Sequence, residues 1–317
     1  MTNLAIGVDI GGTKLAAGVI DEAGAVLDVE HRDTPDSDVK ATEEAIVEAV
    51  EALAARHEVR AVGVGAAGWI ATDHATVLFS PHLAWRGEPL RDELAQRIAL
   101  PLIVENDANA TAWAEYRFGA GRGEPVVVCV TLGTGIGGGL VVDGSVYRGA
   151  FGMACEYGHM TLVPDGRRCA CGNRGCWEMY ASGNALARDA QELAAESPVA
   201  AARMVELAGA AEAITGTVVT AAAAAGDPAA ESICTTMGRS LGRGLASLAA
   251  IIDPSVFVIG GGVSAAGELL LRPARAEFAH TLTGRGFRPE AKVVAASLGP
   301  EAGMVGAADL ARRYLTG

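Results

Sequence analysis

Residues 4–20 hold two short apolar runs, Leu4 to Asp9 and Leu15 to Ile20, separated only by Ile10-Gly-Gly-Thr-Lys14. That gap has no room for a crossover helix, so the chain must begin as an antiparallel hairpin with a glycine turn. The same layout returns at Val126 to Thr131, Gly133-Thr-Gly-Ile-Gly-Gly-Gly139 and Leu140 to Val142. A strand, a glycine turn and a strand appearing twice predict two domains of related topology.

The remaining pattern alternates strands with helices. Asp21-Glu-Ala-Gly24 marks a turn before a third strand, Val26 to Glu30. Residues 38–57 carry Ala, Ile and Val at helical spacing with acids on the other face. Val59 to Gly65 reads as a buried strand, 89–99 as a helix, and Leu102 to Glu105 as a short strand that delivers Asn106-Asp107 at its C-terminal end. Residues 108–118 read as helix. Ala-rich helices are expected between Asn184 and Ile252. A strand at Val256 to Ile259, a helix over 267–283, a strand at Lys292 to Ala295 and a closing helix from Glu301 to Tyr314 complete the reading. This order predicts α/β layers, with a largely parallel sheet carrying antiparallel hairpins. We expect residues 1–110 plus 300–317 to form a smaller N-terminal domain, with the last helix packed back on it. Residues 111–299 then form a larger one, and ligands are expected in a cleft between the two.

Half of the 317 residues are hydrophobic, yet only 5% are aromatic and 41 are glycine. Such a core must be built from small side chains at close range. The net charge of −13 repels nucleic acid phosphates and anionic membranes, so neither is an expected partner. An anionic substrate would need a local cationic or dipolar cradle. The N-terminus has no basic region of a secretory signal, and no charge-free apolar run reaches about 18 residues. A reducing cytoplasm is therefore expected, where clustered cysteines bind metal in preference to forming disulfides. Cys129, Cys155 and Cys234 read as ordinary buried thiols.

The cysteine cluster is the strongest chemical signal. His159 is followed by Cys169, Cys171 and Cys176 in a glycine-punctuated loop, one imidazole and three thiolates. That is a complete tetrahedral ligand set for structural zinc. Glu156 and Glu178 bracket the loop. Three glycine turns are candidate phosphate or nucleoside contacts. Asp9-Ile-Gly11-Gly12-Thr13-Lys14 offers backbone N–H groups, a hydroxyl, a point charge and a carboxylate able to hold hydrated Mg²⁺. Gly133-Thr134-Gly135 repeats the theme, and Gly260-Gly261-Gly262 ends a buried strand. Taken singly, the first could be a tight turn without a ligand and the third simple strand–helix packing; the three together are more specific than any one. In Glu105-Asn106-Asp107-Ala-Asn109 a strand-end carboxylate suits a general base. The same residues also suit a helix N-cap.

Taken in order, these motifs resemble the ROK family of sugar kinases and repressors, most closely its ATP-dependent members that phosphorylate glucose. The resemblance runs from Asp9-Ile-Gly-Gly-Thr-Lys14 through Glu105-Asn-Asp107 and Leu132-Gly-Thr-Gly-Ile-Gly-Gly139. It continues through Glu156-Tyr-Gly-His159, Cys169-x-Cys-Gly-x-x-Gly-Cys176-x-Glu178 and Val258-Ile-Gly-Gly-Gly262. It implies a two-domain, actin-like ATPase fold of the hexokinase type with an interdomain cleft. It implies Asp107 as catalytic base, with Gly68, Asn106, Asp107, Glu156, His159 and Glu178 on the sugar. Asp9, Gly11, Gly12, Thr13, Lys14, Thr134 and Gly135 would cradle phosphates, with Gly261 and Gly262 near the nucleoside. Zinc would sit on His159, Cys169, Cys171 and Cys176, and Mg²⁺ would accompany ATP. The expected reaction is phosphoryl transfer from ATP to the glucose 6-hydroxyl, by a homodimer or homotetramer. Alternatives are a kinase for N-acetylmannosamine, fructose or mannose, or a sugar-responsive regulator. A regulator would carry an added DNA-binding segment, and only three residues precede the first strand here.

Overall fold

The computed structural model describes residues 3–81 and 83–316. By internal packing it divides into two compact units: residues 1–125, 139–155 and 297–317, and residues 126–138 and 156–296.

The first unit opens with the hairpin expected from sequence. β1 (Leu4–Ile10) pairs antiparallel with β2 (Lys14–Ile20), and β2 pairs with β3 (Val26–Asp33). β3 runs three residues beyond the expected Glu30, because its ladder with β2 continues to the Lys14–Asp33 pair. α1 (Val39–Ala54) starts at Asp38, whose side chain accepts from the Ala41 N–H at 3.1 Å, an N-cap bond. β4 (Val59–Ala66) and β8 (Leu102–Asn106) add in parallel, giving the order β3-β2-β1-β4-β8. A small antiparallel sheet of β5 (Trp69–Ile70), β6 (Val77–Phe79) and β7 (Arg86–Glu88) was not expected. Its strands are too short to show a period. The helix expected over 89–99 is only α2 (Leu90–Leu94). Pro101 draws the residue before it toward extended backbone, and the chain leaves the helix through turns.

α3 (Asp107–Arg117) follows β8 directly, and α10 (Ala302–Thr316) closes the unit. α10 packs on β1, β2, β4 and α3. The seating is unusually close. A Cβ at Gly7 would lie 1.8 Å from the Met304 carbonyl oxygen, one at Gly63 1.9 Å from that of Ala307, and one at Gly306 1.8 Å from that of Ala110. No side chain other than hydrogen fits at these three points. On its other side α10 is tied by charge. Asp309 accepts from Trp113 Nε1 at 2.8 Å and Arg117 Nε at 3.1 Å, and buried Arg312 donates to the Ile20 carbonyl at 2.7 Å.

The second sheet repeats the first in order. β9 (Val126–Leu132) leads through the glycine turn to β10 (Ile136–Val142), followed by β11 (Ser145–Val146), β12 (Val256–Gly260) and β13 (Lys292–Ala295). The order β11-β10-β9-β12-β13 matches that of the first sheet, with β9, β12 and β13 parallel. β10 starts four residues before the expected Leu140. Its glycines are strand residues and not an extension of the turn, and a Cβ at Gly139 would lie 2.5 Å from that of Ala112 on α3. The helices of the second unit are α4 (Glu178–Ala181), α5 (Gly183–Glu196), α6 (Ala202–Ala208), α7 (Gly216–Ala224), α8 (Pro228–Ile252) and α9 (Glu268–Thr281). α8 and α9 pack along each other. Cys129 and Cys234 are buried as expected. Cys155 is half-buried on left-handed backbone, φ 73°, which corrects the reading of it as a core thiol.

Among the described residues no helix is long and apolar enough to cross a membrane. Gly63→Ala should destabilise the protein by about 1–3 kcal/mol through overpacking against α10. A shift of the urea midpoint toward lower concentration checks this; an unshifted midpoint would contradict the close seating.

Candidate active site and metal centre

Within the first unit, the strand ends gather carboxylates. Asp9 lies near the end of β1, and Asp107 is the first residue of α3. Asn106 holds the junction. Its Oδ1 accepts from the Asn109 N–H at 2.9 Å, the N-cap bond, while its Nδ2 donates to the Gly68 carbonyl at 3.0 Å and to Asp107 Oδ1 at 3.1 Å. Asp107 Oδ1 also accepts from the Ala108 N–H at 2.9 Å. The helix-cap reading of this motif is met by Asn106. Asn106 is the cap, and the cap bond frees the next residue to present a carboxylate in the first turn, where the helix dipole favours the ionised form.

Asp9 is electrostatically costly. Burial pushes its carboxyl up to about 7, and the negative charge of Asp107 adds to the effect. The space for the Asp9 side chain comes from Gly303 on α10, where a Cβ would lie 2.8 Å from the Asp9 carboxylate carbon. Gly11, Gly12, Thr13 and Lys14 form the β1–β2 turn, closed by a Gly11 N–H bond to the Lys14 carbonyl at 3.0 Å. Thr13 and Lys14 are exposed. Gly68 sits at φ 141°, its Cα against Phe79 and Ser80.

Within the second unit, His159, Cys169, Cys171 and Cys176 converge, with their ligand atoms all within 4.8 Å of one another. The Sγ atoms of Cys171 and Cys176 are 3.6 Å apart, and Cys169 Sγ is 3.7 Å from His159 Nδ1. A tetrahedron of thiolates around zinc has edges of about 3.8 Å. The donor set and spacing thus fit such an ion. Burial also raises the Cys169 thiol above the ordinary range, and a bound cation would favour its thiolate form. The loop is anchored by Trp177, fully buried against Gly244 of α8, whose indole N–H donates to the Ser240 carbonyl at 2.9 Å.

Glu178 joins the cluster to the glycine turn. One oxygen is 3.1 Å from Cys169 Sγ and 3.8 Å from His159 Nδ1, while the other accepts from the Ile136 N–H at 3.5 Å. A Cβ at Gly135 would lie 2.6 Å from that second oxygen, so a side chain there would displace the Glu178 carboxylate. Thr134 is exposed on the same turn, whose carbonyls accept from the Gly183 N–H at 2.8 Å and the Asn184 N–H at 3.4 Å. Glu156 is exposed at the start of a 3₁₀ turn, Tyr157–His159, and its carbonyl accepts from the His159 N–H at 3.1 Å. Gly261 packs against Leu132, and Gly262 faces open space. The structure thus groups Asp9, residues 11–14, Gly68, Asn106 and Asp107 in one unit. It groups residues 134–135, Glu156, His159, the three cysteines, Glu178 and residues 261–262 in the other. Sequence reasoning missed Gly303, which makes room for Asp9, and Arg148 and His74, which meet Glu105. None carries a local signal, since each acts on a residue distant in the chain.

Asp9 has a native pKa above its unfolded value, so the folded state binds the extra proton. Stability then falls as pH rises from about 4 to about 7 and levels off beyond. Asp9→Asn removes this decline: the variant should be the more stable protein at pH 8, with the difference vanishing near pH 4. Parallel urea titrations across that range check it, and superimposable pH profiles would contradict the buried, acid-facing placement.

Comparison with known proteins agrees with this arrangement. Residues 5–314 match the model of the ROK family. A glucokinase of Streptomyces coelicolor is 49% identical, with 98% of each chain covered. A glucokinase of Thermotoga maritima is 37% identical, again over 98% of each chain. The crystal structure of a ROK family glucokinase from Streptomyces griseus, in complex with glucose and AMPPNP, is 51% identical. It superposes with a TM-score of 0.90 over 98% of this chain and 100% of the other. The fold is accordingly the mixed α/β, actin-like ATPase type of these sugar kinases. By its motifs, its duplicated sheets and this near-complete match, the chain belongs to the ROK family.

Proposed function

We propose that this chain is a glucokinase, transferring the γ-phosphoryl group of ATP to the 6-hydroxyl of glucose. The observation that carries the reading is its near-full-length likeness to a glucokinase seen with glucose and an ATP analogue. The geometry of Asn106 and Asp107 supports it. Phosphoryl transfer through a loose transition state needs positioning and charge neutralisation more than a strong base. Asp107, with Oδ1 held by two donors, is suited to orient the sugar hydroxyl and accept its proton as the phosphoryl group arrives.

Gly68, Asn106, Glu156, His159 and Glu178 are assigned to the sugar hydroxyls in the same reading. A buried hydrogen-bonding group left unpaired by a wrong epimer penalises that sugar. The backbone of residues 11–14 and of Thr134-Gly135 is assigned to the phosphates, with Gly261 and Gly262 near the nucleoside. Asp9 is assigned to the Mg²⁺ that travels with ATP and neutralises phosphate charge. Zinc is assigned to His159, Cys169, Cys171 and Cys176, a closed four-ligand set that shapes the loop and activates no water. The loop in turn places Glu178, which touches both the cluster and the glycine turn. The acidic composition and reduced cysteine cluster support a cytoplasmic location. A homodimer or homotetramer belongs to the same reading.

An ADP-release assay across hexoses tests the whole reading. Glucose should be the best substrate, and equal or better turnover of N-acetylmannosamine or mannose would replace it. Asp107→Ala should lower kcat by roughly 10²–10⁴ in a folded protein; near wild-type turnover would remove Asp107 from its role. Cys171→Ala should lose metal and glucose affinity together. Elemental analysis of the wild type without zinc would break that coupling.

A further inference from the structure

Glu105 is fully buried at the end of β8, two residues before Asp107. A carboxylate there must be paired and hydrogen-bonded to stay ionised. Arg148 Nε lies 3.2 Å from each of its oxygens, and His74 Nδ1 lies 3.4 Å from one. Desolvation by itself would raise the carboxyl, but the His74 bond, the Arg148 charge and the amide donors outweigh it and hold it below the usual carboxylate range.

The partners of Glu105 are pinned in their turn. The Arg148 side chain is 9% exposed and donates to the carbonyls of Ile70 at 3.3 Å and Ala71 at 2.9 Å. It also meets His74 Nε2 at 3.2 Å. Arginine only donates, so that nitrogen accepts, which puts the ring proton on Nδ1, 3.4 Å from Glu105 Oε2. His74 stands on left-handed backbone, φ 54°, an arrangement that persists only where surroundings impose it. Its carbonyl accepts from the Val104 N–H at 2.9 Å, and its ring meets Tyr314 of α10 in a tilted contact, centroids 4.7 Å apart.

We propose that Glu105, Arg148 and His74 are positioning residues for Asp107: a buried charged clamp that locks the turn at 70–74 and residue 148 to the N-terminus of α3. The connection is continuous. Glu105 Oε1 accepts from the Asn106 N–H at 2.9 Å and from Asn109 Nδ2 at 3.1 Å, which fixes the first turn of the helix on both sides of Asp107. Asn106 then carries the constraint to Asp107 Oδ1 and to the Gly68 carbonyl. Four backbone segments meet at one carboxylate, so its loss loosens the angle at which Asp107 is presented without removing any group assigned to the sugar. The catalytic part of this inference rests on the glucokinase reading. The mechanical part does not.

Glu105→Gln tests both. The amide keeps the shape and an acceptor for the Asn106 N–H, and loses the charge that holds Arg148. With saturating glucose and Mg-ATP, kcat should fall about ten- to a hundredfold, the scale of a small misplacement of a reacting group, while KM for Mg-ATP stays unchanged. Arg148→Lys should show a smaller loss of the same kind. In hydrogen exchange, the peptide covering residues 102–112 of Glu105→Gln should exchange faster than in the wild type, with the β1 peptide unaltered. Unchanged kcat, or unchanged exchange in that peptide, overturns the proposal. So does a kcat loss matched by an equal loss of folded protein. A wild type that phosphorylates no hexose would sink the function reading, and the exchange measurement would still decide whether the clamp holds the α3 N-terminus.

Discussion

The close seating of α10 is the constraint on which the first unit depends. Gly7, Gly63 and Gly306 put hydrogen where any other residue would put carbon, and backbone meets backbone. This contact brings β1, β4 and α3 against one helix. Since Asp9 lies near the end of β1 and Asp107 begins α3, it also sets where the two carboxylates stand. Gly303, one turn before Gly306, gives Asp9 its room. A core with few aromatics is suited to this, because small side chains are what allow elements to approach closely.

The price of that compactness is like charge held at short range. Burial raises the cost of ionising Asp9, and the charge of Asp107 adds to it. Such an arrangement is poor for stability alone and sensible for a site that receives a cation with its substrate, since the arriving charge favours the ionised forms. Glu105 shows the opposite solution. It is more deeply buried than Asp9, yet arginine, histidine and amide donors keep it ionised. The two carboxylates thus differ by their surroundings: Asp9 faces a like charge, and Glu105 faces arginine, histidine and amide donors.

In the second unit the cysteine loop works by the same logic. A divalent ion would replace hydrophobic burial as the force that orders a short, glycine-rich segment. Trp177 and Gly244 fasten its end to α8, and Glu178 passes its position on to the turn after β9. The turn is held from the other side by the N–H groups of Gly183 and Asn184.

Much of this was legible in the chain. The hairpins at residues 4–20 and 126–142, the ligand set at 159–176 and the cap at 106–109 are local, and local spacing dictates backbone geometry and donor chemistry. The repeated order of the two sheets followed from the first of these. The three-stranded sheet at 69–88 and the early start of β10 did not, because strands of two or three residues have no period and glycine in a strand looks like a turn. What only the tertiary structure decided is which distant residues meet: Gly303 with Asp9, Glu178 with Gly135, His74 and Arg148 with Glu105. Composition and pattern determine which elements form and which atoms are on offer. Packing determines which of those atoms share a dry space, and a buried charge is held in place by partners that sequence distance conceals.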